Sequence, residues 1–142
     1  MNSYGLEFHH FGLAVRSPEA AFRYLSDLGY RAGNSCYDPL QKVNVAMRHH
    51  DRMPDVEVIW PGQERSPIDR MLKQSDSMIY HLCYTATNVE GALAALALAG
   101  LEVLPLGIAQ PALLFEGIEV SFYSITGVGI IEIIAGAPES KK

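Results

Sequence analysis

The chain has 142 residues, of which 49% are hydrophobic and 19% charged, with a formal net charge of −5 and a pI near 5.4. That balance is globular rather than disordered, is long enough for one domain with its own core, and offers no basic face for nucleic acid. Cys36 and Cys83 form no Cys-x-x-Cys pair, the start has no signal-peptide pattern and no apolar run spans a bilayer, so a cytoplasmic protein with reduced thiols and no membrane partner is expected.

Phe8–Val15 is predicted as a strand. Ser17 is expected to cap the helix that follows, with Pro18 in its first turn and Glu19 at its positive end. Ala21, Phe22, Leu25 and Leu28 recur at helical spacing, and Gly29 stands where a helix stops. Tyr30–Tyr37, Val43–Arg48 and Val56–Trp60 are predicted strands, separated by a turn at Asp38-Pro39 and a polar turn over His49–Pro54. This first module, about 8–61, reads β-α-β-β-β. A link at about 62–76 holds a short helix begun by Ser66, Pro67 and Asp69, with Ile68, Met71 and Leu72 on its apolar side.

The second module, about 77–136, repeats the order. Met78–Ala86 is a strand, and Asn88 caps a helix that ends before Gly100. Leu101–Leu106 is a strand whose Pro105 argues for an edge or a bend. Ile118–Ile125 and Ile130–Ile134 are strands joined by a hairpin at Thr126-Gly127-Val128-Gly129, and Glu139–Lys142 is expected to fray. The whole of 1–142 is expected to be one α+β domain: two tandem β-α-β-β-β modules forming a curved mixed sheet around a metal-binding cup.

The repeat is visible residue by residue. A shift of 71 places His10 on His81, Glu19 on Glu90, Ala21 on Ala92, Leu25 on Leu96 and Gly29 on Gly100. One histidine at the head of each copy implies two half-sites built to face each other, and a metal is the usual reason for such a pair. The last strand of each module adds a carboxylate among apolar neighbours: Glu57 in Val56-Glu57-Val58 and Glu132 in Ile131-Glu132-Ile133. A glutamate there must face solvent or meet a cation, because burying it unpaired is costly. His10, Glu57, His81 and Glu132 are therefore the candidate ligands of one divalent ion, and two imidazoles with two carboxylates suit zinc, nickel, cobalt, manganese or iron. His9 points to the other face of its strand and is expected to be structural. His49-His50-Asp51 is expected to be a solvated turn, and Arg48, Arg52, Arg65 and Arg70 to serve solubility. Every arginine lies at or before Arg70, so an anionic substrate group, if present, is expected on the N-terminal side.

Phe8-His9-His10-Phe11-Gly12-Leu13-Ala14-Val15, Ser66-Pro67-Ile68, Tyr80-His81-Leu82 and Ile131-Glu132-Ile133 together resemble stretches of the vicinal oxygen chelate superfamily. That superfamily includes glyoxalase I, methylmalonyl-CoA epimerase, bleomycin resistance proteins and extradiol dioxygenases. The likeness is strongest to epimerase-like and glyoxalase I-like members and runs from Phe8 to Ile134. It implies that His10, His81 and Glu132 fall on metal-ligand positions. It also implies that Glu57 stands where the epimerases commonly carry glutamine and where a glutamate is closer to glyoxalase I. A homodimer is expected on the same ground. One departure is clear. The epimerases carry a catalytic glutamate on the third strand of the first module, where this chain has Asn44, and an asparagine cannot act as a general base.

The expected activity is that of a metal-dependent isomerase or lyase on a small-molecule carbonyl substrate. A divalent ion polarises two neighbouring oxygens, and Glu132 or a loosened Glu57 moves the proton on the adjacent carbon. Asn44, Tyr80 and Tyr123 are candidate substrate contacts; for Tyr80 and Tyr123, as for Cys83, packing is the competing role. Two alternatives stay open: a metal-free cup that sequesters an antibiotic, and an iron-dependent dioxygenase. Metal analysis separates the three.

Overall fold

The computed structural model describes residues 2–136; the tail expected at Glu139–Lys142 lies outside the described residues. These residues form two compact units, 10–80 and 2–9 with 81–136. Nine strands and three α-helices, with parallel and antiparallel pairing, give the α+β class expected.

The N-terminal unit takes in β1 (Glu7–Val15) from His10 onward, α1 (Glu19–Asp27), β2 (Arg31–Asp38), β3 (Val43–His49), β4 (Asp55–Pro61) and α2 (Ile68–Met71). Its strands lie in the order β2-β3-β4-β1. β4 runs parallel to β1, with His10 opposite Asp55 and Gly12 opposite Glu57, while β3 is antiparallel to both β2 and β4. The core joins Val15 and Tyr30 to Leu25 of α1 and to Val56 and Val58 of β4. Successive residues of a strand point to opposite faces, so with Val56 and Val58 against the helix, Glu57 between them points to the other side.

Two helix starts differ from expectation. Ser17 makes no cap: Pro18 already has helical dihedrals, φ −83 and ψ −13, and no side chain caps α1. The Pro18 carbonyl instead accepts the first helical bond, from the Phe22 N–H at 2.9 Å. At α2 the Ser66 hydroxyl donates to Asp69 at 3.0 Å, and the Asp69 carboxylate reaches back to the Ser66 N–H at 2.8 Å. That is the reciprocal half of a capping box, made by the acid rather than the serine. Asn88 behaves as expected and accepts from the Gly91 N–H at 2.9 Å.

The C-terminal unit contains β5 (Ser77–Ala86) from His81 onward, α3 (Val89–Leu98), β6 (Val103–Pro105), β7 (Gln110–Ala112), a single 3₁₀ turn (Leu113–Phe115), β8 (Ile118–Ile125) and β9 (Gly129–Ala135). Its strand order is β5-β9-β8-β6, with β7 also paired to β8. β9 is parallel to β5, as β4 is to β1. Ala92 and Leu96 of α3 pack with Ile131, Ile133, Tyr123 and Ile125, so Glu132 points away from the helix as Glu57 does. The second module is not a plain copy. β7 and the 3₁₀ turn were not foreseen, and they account for a change of spacing: Glu132 follows Glu57 by 75 residues, against 71 for the histidines. The strand expected over Leu101–Leu106 shrinks to three residues at the end of its order, ending on Pro105, which has no N–H to donate. No helix among the described residues is long and apolar enough to cross a membrane.

Gly29 and Gly100 end equivalent helices by the same device. Both have positive φ, +98 and +84, and in each the next N–H bonds back to the residue five earlier, Tyr30 to Leu25 at 3.0 Å and Leu101 to Leu96 at 3.2 Å. A Cβ at Gly100 meets nothing within 4 Å, whereas one at Gly29 meets His50 Nε2 at 3.2 Å. Gly100→Ala is therefore expected to cost only the left-handed penalty, about 1–2 kcal/mol. Gly29→Ala should cost more, because the imidazole that bonds the Leu28 carbonyl at 3.1 Å must also move. Denaturant midpoints of the two variants check the order.

Candidate metal centre

Each unit carries one half of the candidate centre, built the same way. In the N-terminal unit His10 Nε2 lies 3.7 Å from Glu57 Oε2; in the C-terminal unit His81 Nε2 lies 3.3 Å from Glu132 Oε1. All four residues are buried, at 0% exposure for His10, 5% for Glu57, 2% for His81 and 2% for Glu132. The register explains the match. The histidine sits two residues before a small residue on the first strand, and that small residue, Gly12 or Cys83, is the one opposite the glutamate on the last strand. Histidine and glutamate thus share a face of two adjacent parallel strands, and a glycine or cysteine beside the carboxylate leaves them room. Gly12 and Cys83 are themselves related by the shift of 71.

The pairs suit a shared cation. A charge-assisted N–H···O bond is typically about 2.7–2.9 Å. Two donors each about 2.1 Å from one ion, at tetrahedral or octahedral angles, stand roughly 3.0–3.4 Å apart. The distances of 3.3 and 3.7 Å lie at or just beyond that second range. Taking a carboxylate out of water costs roughly several kcal/mol even after relaxation, and a divalent ion at either pair would offset it. The donor set therefore fits the metal expected.

Other residues join these faces. Phe122 is opposite Glu132 on β8, and its ring meets the His81 imidazole edge to face at 5.5 Å between centroids. It was not singled out from the sequence, because a phenylalanine in an apolar strand reads as core. Met47 is opposite Glu57, and Cys36, opposite Val45, shares that face. Burial pushes the Cys36 thiol up, with Asp38 and Glu57 adding to the effect, so it is a poor nucleophile.

The three candidate substrate contacts do not join them. Asn44 is opposite Trp60, on the face of β3 that also carries Arg48, whose guanidinium sits 4.0 Å over the Phe22 ring of α1. Its amide donates to the Pro61 carbonyl at 3.3 Å, and it lines an open groove of about 550 Å³ with Tyr37, Gly62 and Gln63. Tyr123 is opposite Ile131 and packs in the α3 core. Tyr80 precedes His81 on β5 and so takes the opposite face. Each is one residue out of phase with its half-site, and in a strand that means the wrong side.

The turn expected at His49–Pro54 is also more ordered than foreseen. His50 Nδ1 accepts from the N–H groups of Arg52 and Met53 at 2.9 and 3.0 Å. His49 belongs to β3 itself and bonds Asp55, the first residue of β4, at 3.0 Å.

The fold is shared with solved structures of low sequence identity. Methylmalonyl-CoA epimerase from Mycobacterium tuberculosis is 21% identical with a TM-score of 0.73, over 94% of this chain and 89% of that one. A hypothetical protein from Bacillus halodurans C-125 is 19% identical with a TM-score of 0.77, over 96% and 99%. A variant methylmalonyl-CoA epimerase from Streptomyces coelicolor, in complex with 2-nitronate-propionyl-CoA, is 19% identical with a TM-score of 0.73, over 96% and 99%. Comparison with curated proteins finds no match. The family model of the glyoxalase/bleomycin resistance protein/dioxygenase superfamily matches residues 9–122, most of the chain, and the chain belongs to that superfamily.

Proposed function

We propose that the protein is a metal-dependent isomerase or lyase that transfers a proton at the carbon next to a chelated carbonyl, with His10, Glu57, His81 and Glu132 as ligands of one divalent ion. The observation that carries this reading is the duplicated, buried histidine–glutamate pair, one in each unit. In residue type and burial the four make up a potential metal-binding group. The fold neighbours that are epimerases support a carbonyl substrate by likeness of fold.

When bound, the ion supplies Lewis-acid polarisation of two neighbouring substrate oxygens. The imidazoles of His10 and His81 serve as neutral donors, which keeps the net charge of the group at that of two carboxylates and one cation. Glu132 Oε takes the proton from carbon and returns it, with Glu57 as the second carboxylate able to do so. Phe122, packed on His81, helps hold that imidazole in place. We further propose that the two modules act as one domain and that two chains pair as a homodimer, for which light scattering of the purified protein is the check.

The experiment is metal analysis of protein purified without added metal, followed by proton exchange in heavy water read by NMR. About one divalent ion per chain is expected, together with metal-dependent deuterium uptake by at least one of three probes: the glutathione hemithioacetal of methylglyoxal, propionyl-CoA and acetoin. Glu132→Gln should lower uptake by about 10² to 10⁴-fold. A protein that holds no metal and binds an aromatic antibiotic tightly would belong to the sequestering class instead.

A further inference from the structure

We propose that Phe122, Leu104 and Leu106 set the specificity of this protein, as an apolar shelf beside the C-terminal half-site that takes an uncharged, phenyl-sized substituent on the substrate carbonyl. The proposal rests on the proton-transfer reading above and names a substrate class for it. Phe122 on β8 is opposite Glu132 on β9, so the two share a face. The Phe122 ring also meets the His81 imidazole, which ties it to the ligand pair. Leu104 on β6 is opposite Ser124 of β8, two residues from Phe122, and so takes the same face. The Leu106 N–H donates to the Phe122 carbonyl at 2.8 Å, which carries the pairing past the end of β6 and sets Leu106 opposite Phe122. Glu132, Phe122 and Leu106 thus stand in one row across three adjacent segments. The backbone distance along the row is about 9–10 Å, two strand separations, and a carbonyl carrying one ring fits within it.

Burial shows which way this face opens. Val120 and Ile134, opposite each other and two residues along from Phe122 and Glu132, are buried. On the other side of the row Ser124 and Ile130 are half-buried, and Leu104 and Leu106 are exposed at 52% and 47%. The α3 core takes Val103 and Ile125 from the opposite face of β6 and β8 and includes neither leucine. A single exposed leucine is ordinary. Two of them in line with a half-buried phenylalanine and a buried glutamate make a continuous apolar surface leading from the candidate centre, the kind of surface that marks a binding site.

Charge gives the class of substituent. Residues 81–136 hold Glu90, Glu102, Glu116, Glu119 and Glu132 and no lysine or arginine. No side chain of this stretch offers a fixed positive charge to a carboxylate or phosphate, and laying such a group on leucine removes its water with no partner in exchange. An aryl or alkyl substituent gives up no polar hydration there. It gains burial against the leucines and contact with the Phe122 ring. The shelf therefore selects apolar carbonyl compounds over acids of similar shape.

The test compares the para-methyl and para-carboxylate forms of phenacyl alcohol, a hydroxyketone with an exchangeable carbon next to its carbonyl. With metal-loaded protein, deuterium uptake by the methyl form should exceed that by the carboxylate about tenfold or more, the lower end of the discrimination an apolar pocket makes for a single methylene. Leu104→Lys and Leu106→Lys should each bring that ratio toward parity or invert it, because a cation then meets the carboxylate, with metal per chain and circular dichroism unchanged. Leu98→Lys, at a site 89% exposed on α3, is the control and should leave the ratio as it is. Binding is read separately: in NMR of the metal-loaded protein the methyls of Leu104 and Leu106 should shift with the methyl ketone and not with the carboxylate. Equal uptake from the two ketones, or a ratio that both lysine variants leave unchanged, overturns the shelf while metal-dependent exchange stands. Selective leucine shifts without uptake from any probe keep the shelf and end the proton-transfer reading. No shift at either leucine overturns the shelf whatever the uptake, and no uptake from any probe in addition ends both.

Discussion

Replacing His81 with alanine is expected to remove most of the bound metal while leaving the fold. Loss of an outer partner of a metal ligand typically costs about 10 to 100-fold in affinity, and loss of a ligand itself should exceed the upper end of that range. The reason it should act alone is the way the site is built. His81 contributes no packing to the α3 core, which is carried by Ala92, Leu96, Ile131 and Ile133 on the other face of the strands. It meets Glu132 and the Phe122 ring. Titration with zinc or cobalt, with circular dichroism as the control, checks both halves of the expectation. Full stoichiometric binding by the variant would mean that His81 is not a ligand. The same change at His10 should have an equal effect, because the two half-sites repeat one geometry.

Much of this geometry is legible in the sequence, for a physical reason. A histidine at the head of a strand and a glutamate in the middle of an apolar one are both out of place for packing, so each stands out against its neighbours. Their repetition at nearly constant spacing ties the four together. The helices are legible from their ends, since Gly29 and Gly100 mark left-handed stops that other residues tolerate poorly. Faces are not legible at the same level. The period of a strand is two, so a slip of one residue in register or alignment inverts the side, and Asn44, Tyr80 and Tyr123 each fell to the helix-covered or opposite face. Pairing across a hairpin is hidden for the same reason. His49 looks like part of a polar turn until β3 and β4 are seen to extend to His49 and Asp55 and to close on each other. β7 was invisible because Gln110-Pro111-Ala112 has no alternation, and its pairing to Ile118–Val120 of β8 supplies what local pattern does not.

The face of Asn44 leads to the second large expectation. Methylmalonyl-CoA should be epimerised at least 10² to 10⁴-fold more slowly than by an enzyme with a carboxylate base on this strand, about the worth of a general base. The residues of β3 that do share the face of Glu57 are Val43, Val45, Met47 and His49, and none is a carboxylate. Asn44→Ala should therefore leave any proton exchange by this protein unchanged, since the side chain bonds the Pro61 carbonyl on the far side of the sheet. Asn44→Glu should not install epimerase activity either, because the new carboxylate would point into the groove lined by Tyr37, Gly62 and Gln63. Chiral analysis of methylmalonyl-CoA incubated with the metal-loaded protein and the two variants decides the matter. Brisk epimerisation by the parent that Asn44→Ala destroys would place the reacting carbon on the helix-side face of β3 and separate the chemistry from both buried histidine–glutamate pairs.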